Sequence, residues 1–314
     1  MEATRRAVID VGTNSIKLLV ADVTGHQVRP VWEGSKQTRL GQGLYRTQRL
    51  QAAAVAQTAS VVAEFAKAAR EQAARTIRVI ATSAARDAVN GSELTAAIQQ
   101  AAGLPVEIIS GEREADWAFQ GVTTDPALAL APLLLLDVGG GSTEFILGRG
   151  EHKHFRASFP LGSVRLIETM PHSDPPKMEE FAACRKSVND FLQQEVEPRL
   201  RPAMLRESAH GALRLVGTGG TATILARMEA QMEGYDRERI EATRLGRLRV
   251  QWHAEHLWSL PLARRQQVVG LPKNRADVIL AGVVIYEAVM SRLDFAELRI
   301  STRGLRFAAV MDTA

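Results

Sequence analysis

Two glycine-containing loops in this chain begin with the same three residues. The first reads DVGTNS at residues 10–15, and the second reads DVGGGSTE at residues 137–144. A glycine-rich turn between two strands exposes backbone N–H groups that can bind phosphate oxygens, and glycine also reaches backbone angles that other residues avoid. Hydroxyl and amide side chains add further donors. The predicted phosphate-binding residues are Gly12, Thr13, Asn14 and Ser15 in the first loop, and Gly139, Gly140, Gly141, Ser142 and Thr143 in the second.

Each loop opens with an aspartate at the end of an apolar run, Asp10 or Asp137. An unpaired carboxylate in such a position is costly, so it requires a partner. A hydrated divalent cation that also contacts phosphate provides one, because Mg²⁺ takes one or two carboxylates and keeps water ligands. The pattern therefore predicts a Mg²⁺ or Mn²⁺ site. The alternative is a pair of tight hairpins with capping aspartates, which suits one loop alone better than two loops that open alike.

A third glycine cluster, VGTGGTAT at residues 216–223, follows a strand-like segment and precedes a helix-forming one. The N-terminus of a helix carries free N–H groups and partial positive charge, so it can bind an anion. Gly219 is therefore a candidate phosphate or nucleotide contact. An ordinary strand-to-helix turn, where glycine is common, is the alternative.

The segments around these loops predict an α/β fold in which one arrangement occurs twice. Apolar, β-rich runs flank each loop, and a third such run follows each pair. The predicted helices are 50–74, 92–103, 178–200 and 275–293. Predicted strands lie before and after the second of these helices, at 77–82 and 106–110. Ser92 is expected to cap the second helix and Gly103 to end it. Because strands and helices alternate, the fold is predicted to be of α/β type. The chain is expected to pass from the first half to the second near residues 123–132.

The composition is that of a folded protein of about two domains. The chain has 314 residues, of which 46% are hydrophobic and 24% charged, and a net charge of +4 that suits an anionic ligand. No run of like charges predicts a nucleic-acid-binding arm, and no apolar run approaches the length needed to span a membrane. Nucleic-acid and membrane partners are therefore not expected. The single cysteine, Cys184, and an N-terminus without an apolar signal-peptide core indicate a cytoplasmic protein.

Taken together, the glycine motifs resemble those of the actin, sugar-kinase and heat-shock ATPase superfamily, and within it the exopolyphosphatase/guanosine pentaphosphate phosphatase family. The narrower resemblance spans about residues 6–310 and also rests on TRLGQGL (38–44), ATSAARDA (81–88), ISGEREADWAFQGV (109–122), PLGSVRL (160–166) and STRGLRFA (301–308). It implies an α/β fold with two RNase H-like, actin-like ATPase domains flanking a central cleft. These domains are expected at residues 1–124 with about 298–314, and at residues 125–297.

The same resemblance implies roles for individual residues. Glu114 matches the catalytic glutamate, whereas Asp137 and Glu144 match carboxylates that organise a metal and the attacking water. Arg86 is implied to face the substrate phosphates, and Arg39 to reach a guanosine or a second phosphate. Splitting a phosphoanhydride requires an oriented water, a base and positive charge on the phosphoryl oxygens, and these residues supply each of them.

The residues alone leave other interpretations of this site open. Glu114 lies in a charged stretch that resembles a solvated helical turn, and Arg86 could simply pair with Asp87 or Asp116. His253 and His256 form HAEH without the further ligands of a zinc site, so a helix surface is expected there. Cys184 has no histidine or asparagine partner nearby in sequence and is not expected to be a nucleophile.

The function implied by the resemblance is removal of the terminal phosphate from inorganic polyphosphate, with release of orthophosphate, by a homodimer. Longer family members carry an additional C-terminal helical region, so shorter polyphosphate is the expected substrate of this chain. Three alternatives remain: cleavage of guanosine pentaphosphate to the tetraphosphate, an ATP-dependent kinase or ATPase, and a non-catalytic sensor that binds guanosine tetra- or pentaphosphate.

Overall fold

The computed structural model describes residues 2–208 and 211–312 of the chain. It divides into two compact units, of which the first comprises Met1–Asp125 with Arg303–Ala314 and the second Pro126–Thr302. The domain predictions also cover Met1, Ala209, His210, Thr313 and Ala314, which lie outside the described residues.

The first unit is built on a five-stranded sheet. Its strands are β1 Thr4–Val11, β2 Ser15–Thr24, β3 Gln27–Gln37, β4 Thr76–Ala81 and β5 Val106–Ile108. Their order is β3-β2-β1-β4-β5, with an antiparallel meander from β1 to β3 and parallel pairing of β1 with β4 and of β4 with β5. The central strands are buried on both faces and therefore read as continuous apolar runs. The strands predicted on both sides of the first loop are confirmed.

Helices cover both faces of this sheet. In chain order they are α1 Leu44–Thr47, α2 Ala52–Glu71, α3 Ser83–Asp87, α4 Gly91–Ala102 and α5 Gly111–Val122. The apolar stripes of α2 and α4 pack into one core with the side chains of β1 and β4, whereas Trp117 of α5 belongs to a second core on the opposite face. Spacing of the buried residues at three and four positions along α2 accounts for its single buried face.

The start of α4 differs from the prediction. Asn90, not Ser92, precedes the helix, and its side chain accepts a hydrogen bond from Leu50 N at 2.8 Å and donates one to Leu50 O at 3.1 Å. These contacts to the segment before α2 fix where α4 begins, so local capping preference does not decide it. Gly103 ends the helix as predicted, at a φ of 67° that favours glycine.

The second unit contains a six-stranded sheet. Its strands are β6 Leu133–Val138, β7 Thr143–Arg149, β8 His152–Phe159, β9 Arg214–Thr218, β10 Arg244–Gly246 and β11 Glu297–Ile300. The order is β10-β11-β9-β6-β7-β8, with β6, β7 and β8 antiparallel and β6, β9 and β11 parallel. Strands β8-β7-β6-β9-β11 thus repeat the order and directions of β3-β2-β1-β4-β5. The predicted repetition is present in the strand topology.

The helices of the second unit pack around one large apolar core. They are α6 Ser163–Thr169, α7 Met178–Phe191, α8 Glu197–Ser208, α9 Gly219–Glu229, α10 Arg237–Ala242, α11 Arg247–Ser259, α12 Leu262–Arg265 and α13 Ile279–Arg292. The helix predicted at 178–200 is present but contains a π-helical turn at Leu192–Val196. Helix α13 begins later than predicted because Lys273–Arg275 form a separate 3₁₀ turn.

Helix α13 is buried along nearly its whole length, which explains its apolar sequence. Within residues 2–208 and 211–312, no helix combines the length and the apolar character needed to span a bilayer.

The last helix, α14 Leu305–Met311, belongs to the first unit and packs against α5 and β1. The chain thus passes from the first unit to the second after Asp125 and returns after Thr302. Strand β11 lies before this return because it pairs with β9 and β10. The chain therefore returns to the first unit at Arg303, a few residues after the position near residue 298 that the sequence predicts.

Candidate active site

The two repeated loops form the same turn. Gly12 N donates to Ser15 O at 3.2 Å between β1 and β2, and Gly139 N donates to Ser142 O at 2.9 Å between β6 and β7. A Cβ on Gly12 would lie 3.1 Å from Ser15 O, and one on Gly139 would lie 3.0 Å from Ser142 O. Neither glycine has a positive φ. Glycine is favoured at these positions because a Cβ would press tightly on a backbone carbonyl oxygen, not because of the unusual backbone angles expected from the sequence.

Equivalent N–H groups in the two loops have no acceptor among the residues that the structure describes. Within the described part of the chain, the backbone N–H groups of Thr13 and Asn14 in the first loop donate to no other group, and neither do those of Gly140 and Gly141 in the second. All four residues occupy matching positions of the repeated turn. Consecutive N–H groups in a tight turn attract an anion because their partial positive charges add.

The segment around TRLGQGL holds the first loop by its carbonyl oxygens. Gly41 N donates to Thr13 O at 2.7 Å, and Thr38 N and Arg39 N donate to Asn14 O at 3.2 and 3.0 Å. Arg39 has a φ of 51°, a left-handed conformation that turns the chain beside the loop. The backbone of Arg39 therefore braces the loop in the same unit, in addition to any contact that its half-buried side chain makes with substrate.

The PLGSVRL segment holds the second loop in the same manner. Val164 N and Arg165 N donate to Gly140 O at 2.8 and 3.0 Å, and Arg165 Nε donates to Gly141 O at 2.8 Å. A Cβ on Gly162 would lie 2.4 Å from Gly140 O, so this contact requires glycine. These contacts hold the second loop by its carbonyl oxygens, as those of TRLGQGL hold the first.

Two side chains predicted as phosphate donors have protein partners or are buried. Asn14 Oδ1 accepts from Gln37 Nε2 at 2.9 Å, and Asn14 Nδ2 is buried without a partner among the described residues. Thr143 Oγ1 donates to Leu161 O. The Thr143 hydroxyl therefore holds the loop in place, whereas Asn14 Nδ2 keeps an unused donor among the described residues.

Asp10, at the end of β1, is a buried carboxylate. It is 8% exposed, and no group in the described ranges donates a hydrogen bond to it. Burial raises its pKa above the usual value, although the positive charges of Lys17 and Arg306 act in the opposite direction. A carboxylate without a hydrogen-bond donor in a buried position is suited to a bound cation.

Asp137 and Glu144 lie opposite each other in the antiparallel pair of β6 and β7. Glu144 Oε1 accepts a hydrogen bond from Ser158 Oγ at 2.7 Å, which orients the carboxylate. Asp137 also lies beside Thr218, the last residue of β9. The third glycine cluster meets it there: Gly219 has a φ of 84°, and a Cβ at this position would lie 2.3 Å from Asp137 Oδ1. The structure therefore brings Asp137, Glu144 and Gly219 together within the second unit.

These carboxylates fit a cation that retains much of its water. Among residues 2–208 and 211–312, no three His, Cys, Asp or Glu side chains form a cluster that could enclose a metal ion. Mg²⁺ requires no such cluster, because it is bound through one or two carboxylates together with substrate phosphates and water. The oriented pair of Asp137 and Glu144 meets this requirement.

Tyr286 of α13 supports this site but carries no motif that sequence reasoning detects. Its hydroxyl lies 3.3 Å from Leu136 O and 3.2 Å from Thr218 O, and it can donate to either. It thereby ties β6 to β9 directly beneath Asp137. Burial raises its pKa well above the usual value, and the charge of Asp137 adds to this effect. Gly217 leaves room for the ring, since a Cβ there would lie 2.9 Å from Tyr286 Cε1.

Glu114 lies in the first turn of α5, whose N-terminus is capped by Ser110. Ser110 Oγ accepts from Arg113 N at 3.2 Å, and Ser110 O accepts from Glu114 N at 2.9 Å. Glu114 is only 9% exposed, so the alternative of a solvated surface residue is wrong. Arg86 Nη1 donates to Glu114 Oε2 at 3.2 Å and to Ile109 O at 2.9 Å.

The partner of Arg86 is thus principally Glu114. Its distance to Asp87 is longer, at 4.0 Å. The structure brings the predicted base and the predicted phosphate-facing arginine together in the first unit, an arrangement that no local sequence pattern indicates.

Two groups that the sequence analysis set aside have structural roles. His253 is on a helix as predicted, but it is buried and its Nε2 lies 2.8 Å from Glu229 Oε2. The surface position expected for it is therefore wrong. Cys184 is buried, and burial raises the pKa of its thiol to about 12, which makes it a poor nucleophile.

Comparisons with known proteins agree with this geometry. A sequence model of the Ppx/GppA phosphatase family matches residues 19–313. Exopolyphosphatase 2 of Mycobacterium tuberculosis is 35% identical over 303 residues, which cover 93% of this chain and 92% of that protein.

Solved structures extend the comparison to the fold. A crystal structure of an exopolyphosphatase-like protein has a TM-score of 0.89 and 28% identity and covers 99% of this chain and 98% of its own. The Ppx/GppA family member of Aquifex aeolicus has a TM-score of 0.78 at 28% identity, with 98% and 97% covered. The predicted α/β fold with two RNase H-like, actin-like domains is thereby confirmed.

Proposed function

Because the chain belongs to the Ppx/GppA phosphatase family, we propose that it is an exopolyphosphatase, which hydrolyses the terminal phosphoanhydride of inorganic polyphosphate and releases orthophosphate. Membership makes it a phosphoanhydride hydrolase, and the name of the Mycobacterium tuberculosis relative supports polyphosphate as the substrate. The structural observation that carries the proposal is the pair of matching turns whose N–H groups have no acceptor in residues 2–208 and 211–312. A linear polyanion of repeated phosphate groups is a ligand with many equivalent oxygens for such donors.

In this proposal Glu114 acts as the general base. A water attacks the terminal phosphorus in line with the bridging oxygen and transfers a proton to Glu114. The bridging P–O bond breaks, and the shortened chain leaves with the bonding electrons on its new terminal oxygen. Arg86 orients the Glu114 carboxylate through the 3.2 Å contact and remains next to the reacting phosphate. A base contributes about 10²–10⁴ in rate.

The larger share of the acceleration must come from charge stabilisation. Enzymes accelerate reactions by about 10⁶-fold or more, which exceeds what one base provides. The candidate donors to non-bridging phosphate oxygens of the substrate are the N–H groups of Thr13 and Asn14 in the first unit, and those of Gly140 and Gly141 in the second. Their carbonyl oxygens are held by neighbouring segments, so the donors are already oriented and need little reorganisation during the reaction.

A divalent cation, Mg²⁺ or Mn²⁺, is part of the proposal. In the second unit Asp137 and Glu144 would hold it, and in the first unit Asp10 is the candidate carboxylate. The bound cation supplies positive charge that offsets the negative charge of the phosphates. Asp137 and Glu144 do not transfer protons in this scheme. They position the cation, with Ser158 and Tyr286 fixing their surroundings.

Guanosine pentaphosphate is the second candidate substrate, because its terminal phosphoanhydride would undergo the same reaction. The resemblance that predicts an exopolyphosphatase includes guanosine pentaphosphate phosphatases, and nothing in the loop geometry distinguishes the two phosphate chains. We also retain a homodimer as part of the proposal, which light scattering of the purified protein would test.

Phosphate release from short and long polyphosphate, guanosine pentaphosphate and ATP tests the proposal. Each substrate is assayed with Mg²⁺ using the parent protein, Glu114→Gln and the matched control Glu112→Gln, which changes an exposed residue of the same helical turn. We expect polyphosphate turnover that falls by about 10²–10⁴ in Glu114→Gln and is retained in the control. Full turnover in Glu114→Gln would refute the role of Glu114. Turnover of ATP alone would favour a kinase or ATPase, and binding without turnover would favour a sensor.

A further inference from the structure

Arg113, the residue before Glu114, joins the first turn of α5 to two other elements of the same unit. Its Nη2 lies 3.1 Å from Asp312 Oδ2, directly after α14, and its Nη1 lies 3.0 Å from Glu107 Oε1 in β5. A guanidinium has two donor edges in a fixed plane, so it can bridge two carboxylates in one geometry. Arg113 therefore ties the start of α5 to both the end of α14 and the sheet.

A second arginine completes a ring of charges. Arg78 of β4 lies 3.5 Å from Asp312 and 3.8 Å from Glu107, so each carboxylate meets both arginines. The four side chains are between 19% and 40% exposed. Isolated surface ion pairs contribute little, but a network of partly buried charges loses less entropy for each pair that forms. The ring is thus more than a set of separate surface contacts.

The two arginines of this ring of charges pack against the side chain of Trp117. The Arg113 guanidinium carbon lies 4.4 Å from the centre of the indole ring, and that of Arg78 lies 5.6 Å from it. The indole is 4% exposed and belongs to the core between the sheet, α5 and α14. Because Trp117 is one turn beyond Arg113 on α5, the ring and the indole fix the same side of this helix.

The other end of α5 is fixed by direct backbone contact. A Cβ on Gly121 would lie 2.1 Å from Gly304 O, immediately before α14. The two backbone segments therefore touch there without side chains between them. Helices α5 and α14 are consequently antiparallel and joined at both ends, by Gly121 and Gly304 at one and by Arg113 and Asp312 at the other. A helix held at both ends has little freedom to rotate or slide.

We propose that Arg113 and Asp312 are positioning residues for catalysis: through α5 they set where the Glu114 carboxylate lies relative to Arg86. This inference rests on the proposed function, because it takes Glu114 as the base. Glu114 follows Arg113 on the helix and turns towards Arg86, at 3.2 Å. Loss of the ring frees the first turn, and the carboxylate then samples positions away from the attacking water.

Four variants test the proposal. Arg113→Met removes the charge and keeps a flexible chain over Trp117, whereas Asp312→Asn keeps size and shape and removes one charge. Arg113→Lys retains the charge but loses the bidentate geometry. Glu64→Gln is the matched control. Glu64 lies on α2 of the same unit, and the substitution breaks its 2.6 Å ion pair with Lys36 of β3. Thermal unfolding of each variant establishes that it is folded.

Hydrogen exchange reports on the helix without depending on activity. We expect faster exchange of amides 113–117 in Arg113→Met and Asp312→Asn, including the Glu114 amide that donates to Ser110 O. Exchange in α2 and in the second unit should remain as in the parent. Glu64→Gln should leave amides 113–117 unchanged.

Steady-state kinetics with polyphosphate then separate positioning from general stability. We expect kcat to fall about 5- to 30-fold in Arg113→Met, below the roughly 10²-fold that a 1 Å misplacement can cost, with KM within about twofold of the parent. Arg113→Lys should recover part of kcat. Because Arg113 and Asp312 belong to one ring and contact each other, the kcat loss of the double variant Arg113→Met/Asp312→Asn should be smaller than the product of the two single losses.

Each outcome decides the proposal. Faster exchange with a kcat loss and an unchanged KM supports it, and Asp312→Asn alone suffices if Arg113→Met does not fold. Unchanged exchange, or faster exchange with an unchanged kcat, overturns it. If the parent protein hydrolyses no polyphosphate, the proposed function fails and the catalytic part of this inference fails with it. Exchange would still show in that case whether the ring holds α5, so the two failures are distinguishable.

Discussion

Gly219→Ala should lower kcat with polyphosphate about 10²-fold through a single added methyl group. The added Cβ would lie 2.3 Å from Asp137 Oδ1, and contacts below 3.0 Å are essentially never tolerated, so the carboxylate would have to retreat from 2.3 to at least 3.0 Å. The φ of 84° also disfavours any residue with a Cβ, at a cost of about 1–2 kcal/mol. Misplacement of a catalytic group by about 1 Å can reduce the rate about 10²-fold.

The neighbouring glycine provides the control. A Cβ on Gly220 would lie 3.1 Å from Arg275 Nη2, the end of a flexible side chain, and Gly220 has no positive φ. Alanine is the better helix former, so Gly220→Ala should leave the free energy of unfolding unchanged or raise it by up to about 1 kcal/mol.

The assay compares these two variants in three measurements. These are kcat with polyphosphate, the Mg²⁺ concentration needed for half-maximal rate, and the free energy of unfolding from urea titration. For Gly219→Ala we expect kcat to fall about 10²-fold, with a higher Mg²⁺ requirement and an unfolding free energy lower by about 1–2 kcal/mol. For Gly220→Ala we expect parent-like values of kcat and Mg²⁺ requirement. A kcat for Gly219→Ala within threefold of that for Gly220→Ala would refute the reasoning, because the position of Asp137 would then not depend on this glycine.

Two further predictions concern the carboxylates. Ser158→Ala removes the 2.7 Å hydrogen bond to Glu144 Oε1. Because residues that orient a ligand typically change metal affinity by about 10–100-fold, we expect the Mg²⁺ concentration for half-maximal rate to rise by about 10-fold or more. Metal titration measures this, and an unchanged titration would contradict the role of Ser158. Asp10→Asn should raise the free energy of unfolding at pH 7 while reducing activity. Burial raises the pKa of Asp10, so stability is full below the unfolded value of 3.8 and falls as pH rises through the higher folded value. The advantage of Asp10→Asn, measured by urea unfolding across pH, should therefore shrink towards pH 4, and a constant difference would contradict the assigned cause.

The loops were predictable from sequence because their geometry is local. Each is a glycine turn between two adjacent strands, so the residues that shape it are neighbours in the chain. The reason for the glycines was not predictable. At Gly12 and Gly139 the requirement is close contact with Ser15 O and Ser142 O, and composition does not distinguish this from a need for positive φ.

The burial of Glu114 could not be predicted in the same way. Its neighbours in sequence are charged, and the helix they form is exposed on one side. Its hydrogen-bond donor is Arg86, which lies in helix α3 after a different strand, β4. Tyr286 is a similar case, because its hydroxyl meets Leu136 and Thr218, which are distant in sequence. Contacts of this kind depend on strand order, which follows from packing of the complete sheet and not from any local pattern.

The repetition of the fold relates the helix of the proposed base, α5, to α14. By strand order, β5 corresponds to β11, so α5 after β5 corresponds to α14 after β11. Helix α14 has the sequence LRFAAVM without a carboxylate, and it packs against α5 in the first unit. The two equivalent helices therefore lie side by side in one unit. One presents Glu114, and the chain just after the other presents Asp312 to Arg113. Substitutions that loosen α14 should consequently reduce catalysis by acting on Glu114, although α14 contains none of the residues proposed to contact substrate.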